Sequence, residues 1–183
     1  MLFGHDITCG ANAAVELVNT APEIAGTEQL TDPAELHRLL LDLDFKNTGP
    51  PTPADLAAVR RLRTRLSAVL TADSFETAAE LVNELIANAG TTPRLTNHDG
   101  FDWHIDFHTP GAPLVHHVGA EITMAIATLL VSSGRDRIRR CAAPDCERML
   151  VDLSRNGSRR YCHGRNCGNR IAVQAYRARR ARE

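Results

Sequence analysis

Aromatic residues are scarce in this sequence, with five Phe, two Tyr and one Trp among 183 residues. Too few are interleaved with basic residues to stack successive bases, which argues against a platform for single-stranded nucleic acid. Long apolar runs are missing as well. The longest, around EITMAIATLLV, is expected to be too short to span a bilayer. The opening MLFGHDITCG has neither the basic start nor the apolar core of a signal peptide, so a cytoplasmic protein without a membrane is expected. Internal repeats, low-complexity segments, a nucleophile elbow, a phosphate loop and paired carboxylates on a common face are absent too. That combination speaks against an enzyme.

The charge is present but unevenly spread. Residues 1–133 hold 7 basic and 17 acidic side chains, a balance of −10, whereas residues 134–183 hold 14 basic and 5 acidic ones, a balance of +9. All 14 basic residues of the second part are arginine. Such asymmetry fits a basic module for a polyanion joined to something else. The alternative is that the two parts neutralise each other across an internal interface.

The first 133 residues read as helices with a small β element, and the boundary falls near Ser132–Gly134. NAAVELVNT, 12–20, is a short helix or helix end before a loop at Pro22–Gly26. Asp32 caps a helix with Pro33 first and Glu35 third, a capping-box arrangement. Thr52 caps a second, in which Leu56, Val59, Leu62, Leu66, Val69 and Leu70 form one apolar stripe. Its Arg60, Arg61, Arg63 and Arg65 read as a solvated face. A third helix runs from about Phe75 to Asn88. TPRLT and FDWHIDFH flank the turn sequence NHDG, and strict alternation of Trp103, Ile105 and Phe107 with His104, Asp106 and His108 predicts a β-hairpin with one buried face. A long apolar helix, about Leu114 to Val131, ends at Gly134.

Four of the five cysteines lie within 27 residues, as CAAPDC at 141–146 and CHGRNC at 162–167. Reduced, clustered thiols in a cytoplasmic chain point to metal, and the C-x-x-C beside a βαβ unit that marks redox pairs is missing. Two short cysteine loops joined by a spacer bring four thiolates around one Zn²⁺ from different directions, and a four-thiolate site is structural because no position stays open. Cys141, Cys146, Cys162 and Cys167 are the expected ligands. His163 is a substitute that four cysteines make unnecessary, and Cys9 is an incidental small side chain. Asn156-Gly157 between two strand-like runs predicts a type I′ hairpin, and an amphipathic helix opens at the last pair, about Gly168 to Arg180. Loop, hairpin and helix in that order make a treble clef.

The stretch RCAAPDCERMLVDLSRNGSRRYCHGRNCGNRIAVQAYRARR resembles the CGNR zinc-finger family, with Cys167-Gly168-Asn169-Arg170 as the name-giving tetrapeptide. The upstream part looks like the ABATE domain that accompanies this finger, through ELVNT at 16–20 and RLRTRL at 61–66. The resemblance implies a stress-related transcription regulator with a DNA-binding treble clef and an N-terminal ligand-binding domain. The fold class expected is α+β, mainly α, with 1–133 as the ABATE-like domain and 134–183 as the finger.

For duplex DNA the candidate contacts are Arg155, Arg159 and Arg160 around the turn, Arg165 between the last ligands, and Arg170, Gln174 and Arg177 on one helical stripe. Arginine suits phosphate forks and guanine edges. A lone finger reads few base pairs, so specific binding calls for a homodimer. In the first domain, a small polar ligand is assigned to Asn19, Thr20, Arg63, His104 and His108. His104, Asp106 and His108, with His116 and His117 following, also offer donors for a second metal or for acid–base chemistry. A metal-dependent enzyme and a zinc-stabilised protein–protein adaptor are the alternatives.

Overall fold

The computed structural model describes residues 4–45, 48–97 and 103–180. It is mainly α with two small antiparallel hairpins: α1 (His5–Asn19), the single turn α2 (Pro22–Ala25), α3 (Pro33–Asp42), α4 (Pro53–Thr71), α5 (Phe75–Ala89), β1 (Arg94–Thr96), β2 (His104–Asp106), α6 (Leu114–Ser133), β3 (Ile138–Arg140), β4 (Met149–Val151) and α7 (Cys167–Arg180). A 3₁₀ turn, Gly134–Arg137, joins α6 to β3.

The helix starts follow from their caps. Asp32 Oδ1 accepts from the N–H groups of Ala34 and Glu35, both at 2.9 Å. Its box is not closed, because Glu35 turns instead to Arg38. Thr52 and Asp55 do close one: Asp55 N–H donates to Thr52 Oγ1 at 3.2 Å and Thr52 N–H to Asp55 Oδ2 at 2.8 Å. Ser74 caps α5 through Thr77 N–H at 3.0 Å. Gly134, with φ of +61°, ends α6.

The apolar stripe of α4 is buried as the periodicity requires. It packs with α1, α5 and α6 around leucines and isoleucines that lose all contact with water, Leu66, Ile122 and Ile126 among them. Each such side chain contributes about 2 kcal/mol. Gly10 marks a close approach of α1 and α6: a Cβ there would lie 2.6 Å from Ala125 Cβ and 2.9 Å from the Glu121 carbonyl oxygen. This core also contains Met149 and Val151 of β4. The cysteine-bearing segment therefore packs directly on the helices.

Three expectations need correction here. The solvated arginine face of α4 fails at Arg63, which is only 6 % exposed. The alternation leaves open which face of the first hairpin turns inward: Leu95 and Trp103 are each 67 % exposed, while Asp106 and Phe107 are buried. Its register pairs Leu95 with Ile105 across the outward face. The turn residues 98–100 lie outside the described residues. In the second hairpin, β4 pairs with β3, across the first cysteine pair and not across Asn156-Gly157. Asn156 lacks the positive φ a type I′ turn demands; only Gly157 has it, at +59°. Finally, Leu114–Arg137 is long and apolar enough, by length and composition alone, to cross a bilayer. Thr123, Glu121 and similar residues interrupt the apolar run without interrupting the helix. Half of its most apolar window is buried inside the protein.

Candidate functional site

The β3–β4 hairpin carries the first cysteine pair on its loop. Cys141 directly follows β3, and its N–H donates to the Arg148 carbonyl at 2.8 Å, closing the loop behind it. The second pair is shaped by Asn166, whose φ of +48° turns the chain into α7 just before Cys167. Asparagine is among the few residues that tolerate this conformation.

All four sulfurs are buried and lie within 4.8 Å of one another. Cys146 Sγ is 3.7 Å from Cys162 Sγ, which is 3.6 Å from Cys167 Sγ. Zinc–sulfur bonds of about 2.3 Å arranged tetrahedrally give sulfur–sulfur edges of about 3.8 Å. The residues fit the ion, and four thiolates form one structural zinc site. His163 is exposed and takes no part. Burial first, and then the crowding sulfurs, push the Cys162 thiol up to about 12. A divalent cation reverses that balance by direct attraction, so filling the site expels protons. Cys162 N–H donates to Cys141 Sγ at 3.3 Å, and an Arg170 N–H reaches Cys167 Sγ at 3.5 Å. Both soften the charge of the thiolate cluster.

Three residues of the CGNR tetrapeptide have a physical explanation. Cys167 is a ligand. Gly168 lies against the Tyr161 ring, where a Cβ would come to 3.4 Å. Arg170 forks onto both oxygens of Asp145 at 2.7 Å, tying α7 back to the first cysteine loop.

The arginines of this segment divide into two sets. Arg137 donates to the carbonyls of Asp152 and Ser154, and Arg139 to those of Asp136, Gly157 and Arg159. Asp152, fully buried, accepts from Ser154 N–H at 3.0 Å and Arg159 N–H at 2.6 Å. Burial would raise its carboxyl, but the Ser154 hydroxyl, together with these two N–H groups, holds it below the usual range. The 152–159 loop is thus gripped from inside, and it presents Arg155, Arg159 and Arg160 outward. Arg165, Gln174 and Arg177 are exposed as well. From residue 172 to 180 every residue of α7 is exposed. Arg182 lies outside the described residues.

The profile described as "CGNR zinc finger" matches residues 137–180. The ABATE profile, described as "Putative stress-induced transcription regulator", matches residues 11–133, about two thirds of the chain. The chain belongs to the ABATE family. Neither description is that of an enzyme. No significant match to a curated protein accompanies these two.

Within the ABATE segment, the five residues assigned to a ligand fall in two places. Asn19 and Thr20 lie where α1 ends, and Arg63 meets Thr20 there. Arg63 forks onto Glu28 at 2.7 and 2.6 Å and donates to Thr20 Oγ1 at 3.0 Å. Hydrogen bonding from Arg63 holds the Glu28 carboxyl down at about 2. Asn19 turns the other way, donating to the Met149 carbonyl and accepting its N–H. None of the three lines the main cavity.

His104 and His108 do line it. This cavity, of about 530 Å³, opens between α1, the β1–β2 hairpin and α6. His104 Nε2 lies 3.4 Å from Asp106 Oδ1, and Arg94 pairs with Asp106 at 2.9 Å. His108 instead faces Glu121, its Nδ1 at 2.8 Å from Oε1, and stacks on His117 with ring centroids 3.6 Å apart. Sequence reasoning passed over Glu121. The spacing His117-x3-Glu121, one helical turn, was the available signal.

Proposed function

We propose that this chain is a DNA-binding transcription regulator of the cytoplasm, in which residues 134–183 engage duplex DNA and residues 1–133 form a sensor-like domain for a small polar ligand or ion. The observation that carries this reading is α7, exposed throughout its last nine residues and bearing Arg177, Arg179 and Arg180. A helix anchored at its start by zinc, burying almost nothing within its own chain, has its surface available for a partner. Arginine, with its planar fork, selects phosphate and base edges among partners.

Internal neutralisation accounts for little of the basic charge. Among the described residues, Arg148 with Glu16 is the ion pair between a tail arginine and an acid of the first 133 residues. Arg140, Arg139 and Arg170 pair within the tail itself. Arg155, Arg159, Arg160, Arg165, Gln174 and Arg177 are then the contact set, while Arg170 positions the helix through Asp145. A homodimer would supply the second half-site that a lone finger lacks.

Anisotropy titration of a labelled duplex with the full chain tests this reading. Affinity should fall steeply with salt, with a slope near −0.9 per phosphate engaged. The triple variants R155A/R159A/R160A and R177A/R179A/R180A should each flatten that slope. No binding at low salt would leave the protein–protein adaptor as the better account.

A further inference from the structure

We infer that His108, His117 and Glu121 form a second metal site, taking a divalent first-row transition ion within the cavity of the ABATE segment. One donor atom from each residue can be chosen so that all three lie within 4.8 Å of one another. Two of the residues come from a single helix: His117 and Glu121 are four apart on α6, on the same face. His108 comes from the chain just beyond β2 and closes the set beside them.

The carboxylate is held before any ion arrives. Glu121 Oε1 accepts the Phe107 N–H at 2.9 Å as well as facing His108 Nδ1 at 2.8 Å. Both contacts fall on one oxygen. The Phe45 ring meets His117 edge-on at 5.7 Å, with the rings 73° apart, while His108 stacks on its other side at 22°. A fixed carboxylate is a support that metal ligands need, while one imidazole must turn out of the stack to bring both ring nitrogens onto one ion in their planes. A metal bound here would replace the direct contact between His108 and Glu121.

Charge and donor chemistry narrow the occupant. Among the described residues, Asp6, Asp44, Asp55, Asp106 and Glu121 line the cavity, against Arg94, whose guanidinium is already on Asp106. Such a wall favours a cation over an anionic metabolite. Two imidazoles and one carboxylate suit divalent first-row transition ions better than magnesium or calcium, which take oxygen cages. Three protein ligands leave coordination positions facing the remaining space, as the closed four-thiolate finger does not. The site deepens the sensor reading above, and its role as a regulatory input rests on that reading; the metal binding itself does not.

Untagged full-length protein, equilibrated with Co²⁺ and freed of unbound metal, should carry two ions per chain. One should show the intense thiolate charge-transfer bands of the finger, the other only the weak visible bands of nitrogen and oxygen ligation. H117Q and E121Q should each weaken the second ion at least about tenfold while keeping the thiolate-bound one, whose retention reports that the variant has folded. A single equivalent in the wild type, or a second one unaffected by both substitutions, would overturn the site. A second ion with thiolate bands would overturn the donor set in favour of one including Cys9, which sits on the same wall. DNA titration with and without the second ion separates the readings. A metal-dependent affinity supports the input role, whereas metal binding with no effect on DNA affinity overturns that role and leaves the metal site standing.

Discussion

Asn19 and Met149, 130 residues apart in sequence, are joined by two hydrogen bonds: Asn19 Nδ2 to the Met149 carbonyl at 3.0 Å, and Met149 N–H to Asn19 Oδ1 at 2.8 Å. A side-chain amide here does what a neighbouring strand would do for β4. Both residues are buried, so neither partner can turn to water instead. Asn19→Ala should therefore cost about 2–4 kcal/mol, from two orphaned backbone groups. Asn19→Asp, which keeps the acceptor but loses the donor, should also destabilise. Chemical denaturation of the two variants checks this, and wild-type stability in Asn19→Ala would refute the role.

The Glu28–Arg63 pair predicts a pH dependence. Glu28 is held at about 2 when folded, below its ordinary value of 4.5. Its contribution is complete above the unfolded value and is lost as pH falls from about 4.5 towards 2. Thermal melts of Glu28→Gln should show lower stability at pH 7, by about 3 kcal/mol, because Arg63 stays buried without its counter-charge. The gap from wild type should close in acid. A constant gap from pH 7 to pH 2 would show that Glu28 does not titrate as described.

Removing zinc should disturb more than the finger. Chelation, or Cys162→Ser, is expected to unfold the cysteine loops and α7, lowering helical circular dichroism. Because Met149 and Val151 belong to the helical core, the melting temperature of the whole chain should fall as well. X-ray absorption should report four sulfur neighbours around the ion.

Arg170 and Arg177 should respond differently to substitution. Arg170→Ala removes the fork on Asp145 and should weaken zinc retention against a competing chelator, by about tenfold. Arg177→Ala, on the exposed part of α7, should leave zinc retention unchanged and reduce DNA affinity alone. Equal behaviour of the two would erase the distinction between positioning and contact.

Gly10→Ala probes the crossing of α1 and α6. The added methyl meets Ala125 Cβ at 2.6 Å and backbone at 2.9 Å, neither of which can swing aside. A loss of about 1–3 kcal/mol is expected in a denaturant titration.

The zinc ligands, the caps at Asp32 and Thr52 and the stripe of α4 were legible in the sequence, because each depends on residues a few positions apart. Direction was harder to read. Alternation in β2 shows that its two faces differ, but not which one turns inward. Arg94 pairing with Asp106 and the cavity beneath His104 turn the polar face in, leaving Leu95, Trp103 and Ile105 in water. Asn156-Gly157 reads as a hairpin turn by itself, but the Asp152 carboxylate shapes that loop by accepting from the N–H groups of Ser154 and Arg159, two and seven residues on. Arg63 could not be told from its solvated neighbours until Glu28, 35 positions away, was seen opposite it.

Between α6 and β3 the chain spends only the 3₁₀ turn Gly134–Arg137, and β4 is sunk in the same core as the helices. No swinging tether separates the two family segments. In a symmetric pair of such chains, the gap between the two α7 helices would be a caliper setting, fixed by how the helical bodies meet. Operators with one half-site spacing would be gripped and those a few base pairs longer would not, whereas a tethered finger could reach both.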